Sequence, residues 1–325
     1  MRAAVHTRYG PPHVVRVSEV AQPNAGQGEV LVRVRATTVN RTDCANRAAR
    51  PFFIRLFSGI IAPRMTVLGS EFAGDIEAVG AGVTSFEVGD RVFGYNEGPF
   101  GAHAEYLVVA ATGALATMPE NLSYAEVAPA TEGAHYALVQ IRAAGVQSGQ
   151  EVLVYGATGA IGSAAVQLLK SLGARVTAVC ATDALGLVRG LGADTVIDYT
   201  TQDFTSGDQR YDMILDAVGK ISFGQCKPLL NPGGIYISTE LGAWAQNPFL
   251  ALIGRLHNGK RVLFPIPRHD QEMVVHLRGL LESGKFKPVI DRAYGLDQIV
   301  DAYGYVETGQ KIGSVVIMID GLPAP

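Results

Sequence analysis

A glycine-rich loop is the part of this sequence whose residue types and spacing point most directly to chemistry. Gly156, Gly159 and Gly162 recur every three residues, directly after the apolar run 151–155 and before a helical pattern. The positions between them are Ala157, Thr158, Ala160 and Ile161. Such glycines permit a tight turn and a close backbone approach to a pyrophosphate, and the helix N-terminus supplies free N–H groups. The loop therefore predicts a dinucleotide site, with an ordinary glycine-rich turn as the alternative.

The end of the next predicted strand bears on which dinucleotide binds. An NAD site places an acidic residue there to hold the ribose 2′-hydroxyl, but this strand ends at Cys180. The missing acid removes a repulsion toward a 2′-phosphate, and the Thr182 hydroxyl is a candidate donor to it. Thr182 is equally suited to cap a helix, and Asp183 beside it argues against a phosphate. We expect NADPH, with NADH as the less favoured choice.

The loop belongs to a central block, residues 122–284, in which short apolar runs alternate with helical patterns. The runs are 151–155, 175–180, 195–198, 213–217, 235–239 and 262–266. This alternation predicts an α/β fold with a doubly wound parallel sheet, and six strands fit a dinucleotide-binding sheet.

The flanking blocks, residues 1–121 and 285–325, have β character. The run 29–36 alternates apolar and polar residues, as a half-buried strand does, and glycine turns follow at 79–83 and 88–92. These features predict a partly open β-barrel. The run 313–319 is a strand with no helix after it, so we expect it to fold back onto the first block and make the central block an insertion.

The composition narrows the function class. The 325 residues include 27 Lys and Arg and 30 Asp and Glu, a net charge of −3, with 48% hydrophobic residues. This composition predicts a folded chain with no nucleic-acid and no membrane partner. Cys44, Cys180 and Cys226 lack metal-ligand spacing, and their odd number predicts reduced thiols and a cytoplasmic location. The first residues lack the apolar core of a signal peptide.

Seven short stretches together resemble the medium-chain dehydrogenase/reductase superfamily, in its zinc-independent, quinone-oxidoreductase-like branch. They are 39–43 (VNRTD), 68–74 (LGSEFAG), 88–94 (VGDRVFG), 101–106 (GAHAEY), 155–162 (YGATGAIG), 191–194 (LGAD) and 231–234 (NPGG). The resemblance covers residues 1–319. It implies a GroES-like catalytic domain, interrupted by a Rossmann cofactor-binding domain, and a homodimer.

The resemblance also bears on the metal. Zinc enzymes of the superfamily have a catalytic Cys near position 40 and a His in a G-H-E motif, where this chain has Asn40 and Ser70. An amide and a hydroxyl are not serviceable zinc ligands, so we expect no metal site. Without a Lewis acid, hydride transfer to a quinone or a conjugated C=C is easier to explain than alcohol oxidation, because a hydrogen bond can stabilise the resulting oxyanion.

Three side chains are candidate catalytic residues. His135 stands where relatives have a small residue near the nicotinamide, and it is a candidate proton donor, a role worth about 10² to 10⁴ in rate. Its alternative is a buried structural histidine. Asn40 resembles a residue that lines the substrate side, or it holds a loop. The Tyr95 hydroxyl is a candidate donor to the oxyanion, or the ring only packs.

Two further residues come from the resemblance as cofactor contacts. Relatives that use NADPH often place a tyrosine after the third strand near the 2′-phosphate, and Tyr199 stands there. A basic residue near the C-terminal strand is another common contact, for which Lys311 is the nearest candidate. The sequence thus predicts a zinc-free NADPH-dependent reductase acting on a small electrophilic acceptor. The alternatives are a zinc-free carbonyl reductase and a catalytically silent, crystallin-like NADPH-binding protein.

Overall fold

The chain forms two compact units in a computed structural model that describes residues 1–253 and 259–321. Unit 1 combines Met1–Glu132 with His269–Pro325, and unit 2 is Gly133–Arg268. The second unit is therefore an insertion in the first. Both boundaries lie inside the predicted block 122–284, so unit 2 is shorter at each end than the sequence pattern indicates.

The strands of unit 1 form one large, mostly antiparallel sheet and a two-stranded sheet. Their bounds are β1 Arg2–Val5, β2 Arg16–Glu19, β3 Glu29–Val39, β4 Glu71–Val79, β5 Arg91–Tyr95, β6 Tyr106–Ala110, β7 Leu115–Thr117, β14 Ile290–Gly295 and β15 Ser314–Met318. The large sheet has the order β14-β15-β3-β4-β5-β7, with β6 also paired to β3, and β1 pairs with β2. The apolar side chains of β3 and β4 supply much of the core, including Val30, Val32, Val34, Phe72 and Ile76.

The long strand β3 organises this sheet. Its first half, from Glu29 to Arg33, pairs with β6, and its last residues pair antiparallel with β15, so that Val39 lies opposite Val315. The predicted return of the C-terminal strand onto the first block is confirmed. The predicted run 29–36 is longer in the structure because Thr37 and Thr38 continue the pairing.

The helices of unit 1 explain where the units divide. They are α1 Arg41–Ala48, α2 Arg55–Ser58, α3 Tyr124–Val127, α9 Gln271–Glu282 and α10 Ile299–Glu307. Helix α3 packs against β3 and β4. Helix α9 packs against β7, where Arg278 donates a hydrogen bond to the Thr117 hydroxyl. The tertiary contacts of α3 and α9 therefore assign them to unit 1, although their helical periodicity matches the central block.

Unit 2 contains a six-stranded parallel sheet. Its strands are β8 Glu151–Tyr155, β9 Arg175–Cys180, β10 Thr195–Asp198, β11 Tyr211–Asp216, β12 Leu230–Ser238 and β13 Arg261–Leu263. The order β10-β9-β8-β11-β12-β13 reverses direction at β8, as in a doubly wound dinucleotide fold. The predicted fold class and all six strands are confirmed. The strand expected at 262–266 ends at Leu263, before Pro265 and Pro267, which have no N–H to donate to a neighbouring strand.

Four helices lie wholly within unit 2 among the described residues, and a fifth begins at its boundary. They are α4 Glu132–Ala144, α5 Ala160–Ser171, α6 Leu185–Gly190, α7 Phe223–Cys226 and α8 Gln246–Leu252. In α5, Ala165, Leu168 and Leu169 are buried, whereas Leu172 just after the helix is 46% exposed, and Gly173 follows at φ +81°. Within the described part of the chain, no helix is both long enough and apolar enough to cross a membrane.

Candidate functional site

The glycine-rich loop of unit 2 connects β8 to α5. Gly156 adopts φ +79°, a backbone conformation that favours glycine, and it turns the chain sharply at the end of β8. The N–H groups of Gly156 and Ala157 both donate to the Val179 carbonyl at 3.1 Å, which fixes the loop to the neighbouring strand β9. The loop is therefore held by backbone contacts and needs no large side chain.

Gly162 brings the first turn of α5 onto this loop. A Cβ at Gly162 would lie 2.1 Å from the Gly156 carbonyl oxygen, so glycine alone fits there. By contrast, a Cβ at Gly159 would come no closer than 4.0 Å to the same oxygen. The first turn of α5 therefore packs closely against the loop at Gly162.

The start of α5 is suited to an anionic ligand. Its N-cap is Gly159, which has no side chain to accept from the first N–H groups, and the first turn contains no acidic residue among those described. The N–H groups of Ala160, Ile161 and Gly162 therefore lie at the positive end of the helix dipole without a capping side chain. Thr158 completes the loop before the cap. A pyrophosphate fits this chemistry.

The ends of β9 and β10 hold a carboxylate that the sequence prediction did not use. Asp198 ends β10 directly beside Cys180, the last residue of β9. It accepts hydrogen bonds from the hydroxyls of Thr182 and Thr200, each at 2.6 Å, and these lower the pKa of Asp198. The Thr182 hydroxyl thus binds Asp198, and the alternative role as N-cap is taken by Ala181.

Aromatic rings gather near the same strand ends. Tyr199 is half exposed, and its backbone N–H donates to the Cys180 carbonyl. The centroid of its ring lies 6.3 Å from that of the Tyr155 ring. The Phe204 ring centroid lies 5.2 Å from that of Tyr155. The Tyr199 and Phe204 rings are tilted by 33° and 56° against the Tyr155 ring, and the faces of such rings beside a phosphate loop can stack on a purine base.

Asn40 and Ser70 are buried and in contact in unit 1. Asn40 begins α1 as its N-cap: its Oδ1 accepts from the Asp43 N–H at 2.8 Å, and Asp43 Oδ2 accepts in return from the Asn40 N–H. The Asn40 Nδ2 donates to Ser70 Oγ at 2.9 Å. The loop-holding role that the sequence left open for Asn40 is therefore present. A catalytic role for Asn40 stays a prediction.

The other predicted residues are placed in different surroundings. Tyr95 is buried in unit 1, where its hydroxyl donates to Glu97 at 2.8 Å and its ring packs edge-on against His269. His135 is buried on α4 of unit 2, with its ring centroid 5.7 Å from that of Tyr136. Lys311 lies in unit 1 and donates from Nζ to the Gly313 carbonyl at 2.5 Å. Burial lowers the pKa of Lys311, against the opposing effect of Glu132 and Glu71.

Those two glutamates belong to a buried acidic cluster in unit 1. Glu71 accepts from the N–H groups of Thr131 and Glu132, at 3.0 and 2.6 Å, and from the Thr38 hydroxyl at 2.6 Å. Glu132 accepts from the Thr42 hydroxyl at 2.5 Å. Burial raises the pKa of both glutamates, and their mutual repulsion raises that of Glu132 further. The motif 68–74 contains Glu71, but nothing in its spacing reveals that it binds residues 131 and 132.

Comparison with known proteins places this geometry in a family. Residues 26–120 match the alcohol dehydrogenase GroES-like domain, and residues 191–317 match the family described as zinc-binding dehydrogenase. A 2-methylene-furan-3-one reductase of Solanum lycopersicum is 34% identical over 98% of this chain and 79% of its own length. This chain is a medium-chain dehydrogenase/reductase.

Other relatives of this medium-chain dehydrogenase/reductase agree. A chloroplastic NADPH-dependent alkenal/one oxidoreductase of Arabidopsis thaliana is 30% identical over 98% of the chain and 79% of its own length. A chloroplastic quinone-oxidoreductase homologue of Spinacia oleracea is 31% identical over 98% of both chains. The quinone oxidoreductase structure from Coxiella burnetii has the same fold, with a TM-score of 0.88, 24% identity and coverage of 98% and 99%.

Asn40 and Ser70 do not fit a catalytic zinc. The Asn40 amide donates to the Ser70 hydroxyl, and neither group is a thiolate or an imidazole of the kind that zinc binds. In the described part of the chain, no three His, Cys, Asp or Glu side chains are grouped so that they could hold a metal ion. A nicotinamide cofactor, by contrast, fits the loop and the uncapped start of α5.

Proposed function

We propose that this chain is an NADPH-dependent, zinc-independent reductase that transfers hydride to the conjugated C=C of an α,β-unsaturated carbonyl or to a quinone. The observation that carries the proposal is the Asn40–Ser70 hydrogen bond. It stands where zinc enzymes of the superfamily have two metal ligands. An acceptor whose charge spreads onto a carbonyl oxygen needs only a hydrogen-bond donor there. The names of the relatives support the same acceptor classes.

The chain's own residues have distinct tasks in this proposal. The residues of the loop 156–162 bind the pyrophosphate through backbone N–H groups, and Tyr155 and Tyr199 flank the base. Reduced nicotinamide supplies the hydride when bound. The protein orients the acceptor, excludes water and delivers a proton to the carbon or oxygen that becomes basic. Among His135, Asn40 and Tyr95, we assign the proton to His135, because the Asn40 amide donates to Ser70 and the Tyr95 hydroxyl donates to Glu97.

The preference for NADPH is supported by the name of a relative, the NADPH-dependent alkenal/one oxidoreductase, and by the absence of an acidic residue at Cys180, the end of β9. Arg189 is exposed on α6, the helix after β9. We propose that Arg189 provides the positive charge for the 2′-phosphate. Lys311, which lies among the acids of unit 1, is a weaker candidate for that role.

The deciding experiment follows oxidation of NADPH and of NADH, each with and without a chelator. The acceptors are a quinone, a 2-alkenal, an enone and a saturated aldehyde. We expect fast NADPH loss with the quinone or the conjugated acceptors, unchanged by the chelator. Turnover of the saturated aldehyde alone would replace the proposal with carbonyl reduction. Cofactor binding without any turnover would favour a silent binding protein. The homodimer and the cytoplasmic location stay predictions.

A further inference from the structure

One short segment of unit 1 exposes a concentration of large apolar side chains. Six large apolar residues in the range 51–61 are each at least 47% exposed. They are Phe52, Phe53, Leu56, Phe57, Ile60 and Ile61, with Phe57 at 76% and Ile61 at 93%. Single exposed apolar residues are ordinary, but six within ten consecutive positions are a concentration of the kind that marks an interaction surface. We call residues 51–61 the apolar segment.

The backbone of the apolar segment is held from beneath by polar contacts. The Tyr9 hydroxyl donates to the Gly59 carbonyl at 2.7 Å and lies 2.8 Å from Ser58 Oγ. The Arg64 N–H donates to the Ser58 carbonyl at 2.8 Å. Gly59 has φ +125°, and a Cβ there would lie 2.1 Å from the Ala62 carbonyl oxygen. The buried Ser58 and Gly59 therefore fix the segment, and this arrangement leaves its apolar side chains outward.

The charged residues next to the apolar segment in the sequence have a single sign. The sequence contains no Asp or Glu from residue 44 to residue 70, and none before Glu19. Arg50 and Arg64 are exposed at the two ends of the segment, and Arg8 is exposed next to Tyr9. The Arg55 guanidinium lies over the rings of Tyr9 and Phe52, at 4.9 and 5.2 Å from the ring centroids. The net charge of −3 for the whole chain hides this local excess of positive charge, so the composition-based prediction of no membrane partner does not take this segment into account.

We propose that the apolar segment docks this chain onto the surface of an anionic lipid bilayer. Aromatic and aliphatic side chains enter the boundary between headgroups and acyl chains, while flanking guanidinium groups remain at the lipid phosphates. The combination of exposed phenylalanines and isoleucines with arginines, and with no acid in the same stretch, is complementary to such a surface in both polarity and charge. The proposal is independent of the reductase activity, since it concerns neither the loop 156–162 nor the proposed proton donor.

The test is sedimentation of the full chain with vesicles. We expect binding to vesicles of equimolar phosphatidylcholine and phosphatidylglycerol, weak binding to phosphatidylcholine alone, and weaker binding as salt rises. Arg50→Gln and Arg64→Gln should each lower binding about fivefold. Phe57→Ser and Ile61→Ser should each lower it about tenfold. Val88→Ser, which removes an apolar side chain 62% exposed elsewhere in unit 1, is the matched control and should leave binding unchanged.

Two results would overturn the proposal. The first is the absence of binding to anionic vesicles at low salt. The second is binding that Phe57→Ser and Ile61→Ser leave at the level of Val88→Ser. If those variants instead lower self-association in sedimentation velocity while vesicle binding is absent, the segment contacts a second copy of this chain. Circular dichroism confirms that each variant is folded, and NADPH oxidation by the same variants is expected to stay at the wild-type rate in the absence of vesicles.

Discussion

The Asn40 side-chain amide donates to the Ser70 hydroxyl at 2.9 Å, and both residues are buried. This bond joins the start of α1 to the residue directly before β4, elements thirty positions apart in the chain. Asn40 thereby uses both ends of its amide, because Oδ1 accepts from Asp43 while Nδ2 donates to Ser70. At the two positions where zinc enzymes of the superfamily have metal ligands, this chain has Asn40, the N-cap of α1, and Ser70, which accepts from the Asn40 amide.

Asn40→Ala should destabilise unit 1. It removes the cap of α1 and leaves the buried Ser70 hydroxyl without this donor, so we expect the free energy of unfolding to fall by about 1–3 kcal/mol. Urea denaturation measures this change. The control is Asn46→Ala, which removes one part-buried bond from Nδ2 to the Thr42 carbonyl in the same helix. Equal urea midpoints for the two variants would show that the cap contributes little.

The glycine loop predicts a contrast between two alanine substitutions. Gly162→Ala places a Cβ 2.1 Å from the Gly156 carbonyl, so α5 must move, at a cost of about 1–3 kcal/mol in unfolding free energy. Gly159→Ala meets nothing closer than 4.0 Å at φ −70° and should cost under about 1 kcal/mol. Thermal unfolding compares them, and a reversed order would contradict the packing described for the loop.

His135→Gln tests the proposed proton donor. We expect kcat with a conjugated acceptor to fall about 10²- to 10⁴-fold while the Kd for NADPH stays unchanged. His13→Gln changes an exposed histidine and should keep the wild-type rate. A variant with normal kcat would assign His135 a packing role alone.

Asp43 predicts an unusual pH dependence of stability. Burial raises the pKa of Asp43 to about 8, against hydrogen bonds from the N–H groups of Asn40 and Gly69. Because the folded chain then binds more protons than the unfolded chain below about pH 8, the free energy of unfolding should fall as pH rises toward that value. The slope due to Asp43 is at most about 1.4 kcal/mol per pH unit.

Urea denaturation of wild type and Asp43→Asn between about pH 6.5 and 8 separates this effect from that of Glu71 and Glu132, whose pKa is also raised by burial. Burial lowers the pKa of His103 to about 4, so His103 contributes only below its unfolded pKa of about 6.5, where stability is lost as pH falls. Asp43→Asn should flatten the decline between pH 6.5 and 8. An identical slope in wild type and variant would mean that Asp43 is ionised throughout that range.

Arg47 should be among the costliest side chains to remove. It is fully buried, pairs with Glu307, donates to the Gly10 carbonyl at 2.5 Å, and lies 5.1 Å from the Tyr303 ring centroid. Arg47→Met leaves these groups without their partner, and we expect a loss of about 3–5 kcal/mol. Arg50→Met, at an exposed position, should stay within about 0.5 kcal/mol by the same denaturation assay.

Local patterns predicted the strands and the cofactor loop because those features depend on neighbouring residues. The alternation along β3 and the glycine spacing at 156–162 can both be read from the linear sequence. The boundaries of unit 2 could not be predicted from the sequence in this way. Helices α3 and α9 have ordinary helical patterns, and only their contacts with β3, β4 and β7 assign them to unit 1.

The side-chain partners were the least predictable part. Thr182 was a candidate for a phosphate or a cap, whereas in the structure its hydroxyl meets Asp198, sixteen residues away. Glu71 and Glu132 meet across sixty-one positions, and no spacing rule connects them. The net charge of the chain likewise does not show that residues 44–70 contain arginines and no acidic residue. Long-range pairs depend on the fold as a whole, which a linear pattern does not contain.

The place of β15 has a consequence for how the chain is made. This strand is synthesised after every other described strand of unit 1, yet it lies between β14 and β3 inside the large sheet. Unit 2 ends at Arg268, so all of its strands are available to fold first, while the sheet of unit 1 must wait for its final partner. At ordinary ribosomal speed, the fifty residues from 269 to 318 take roughly 2.5 to 10 s to add. During that interval the edge of β3 that β15 will cover is unpaired, and an unpaired strand edge can pair with another chain.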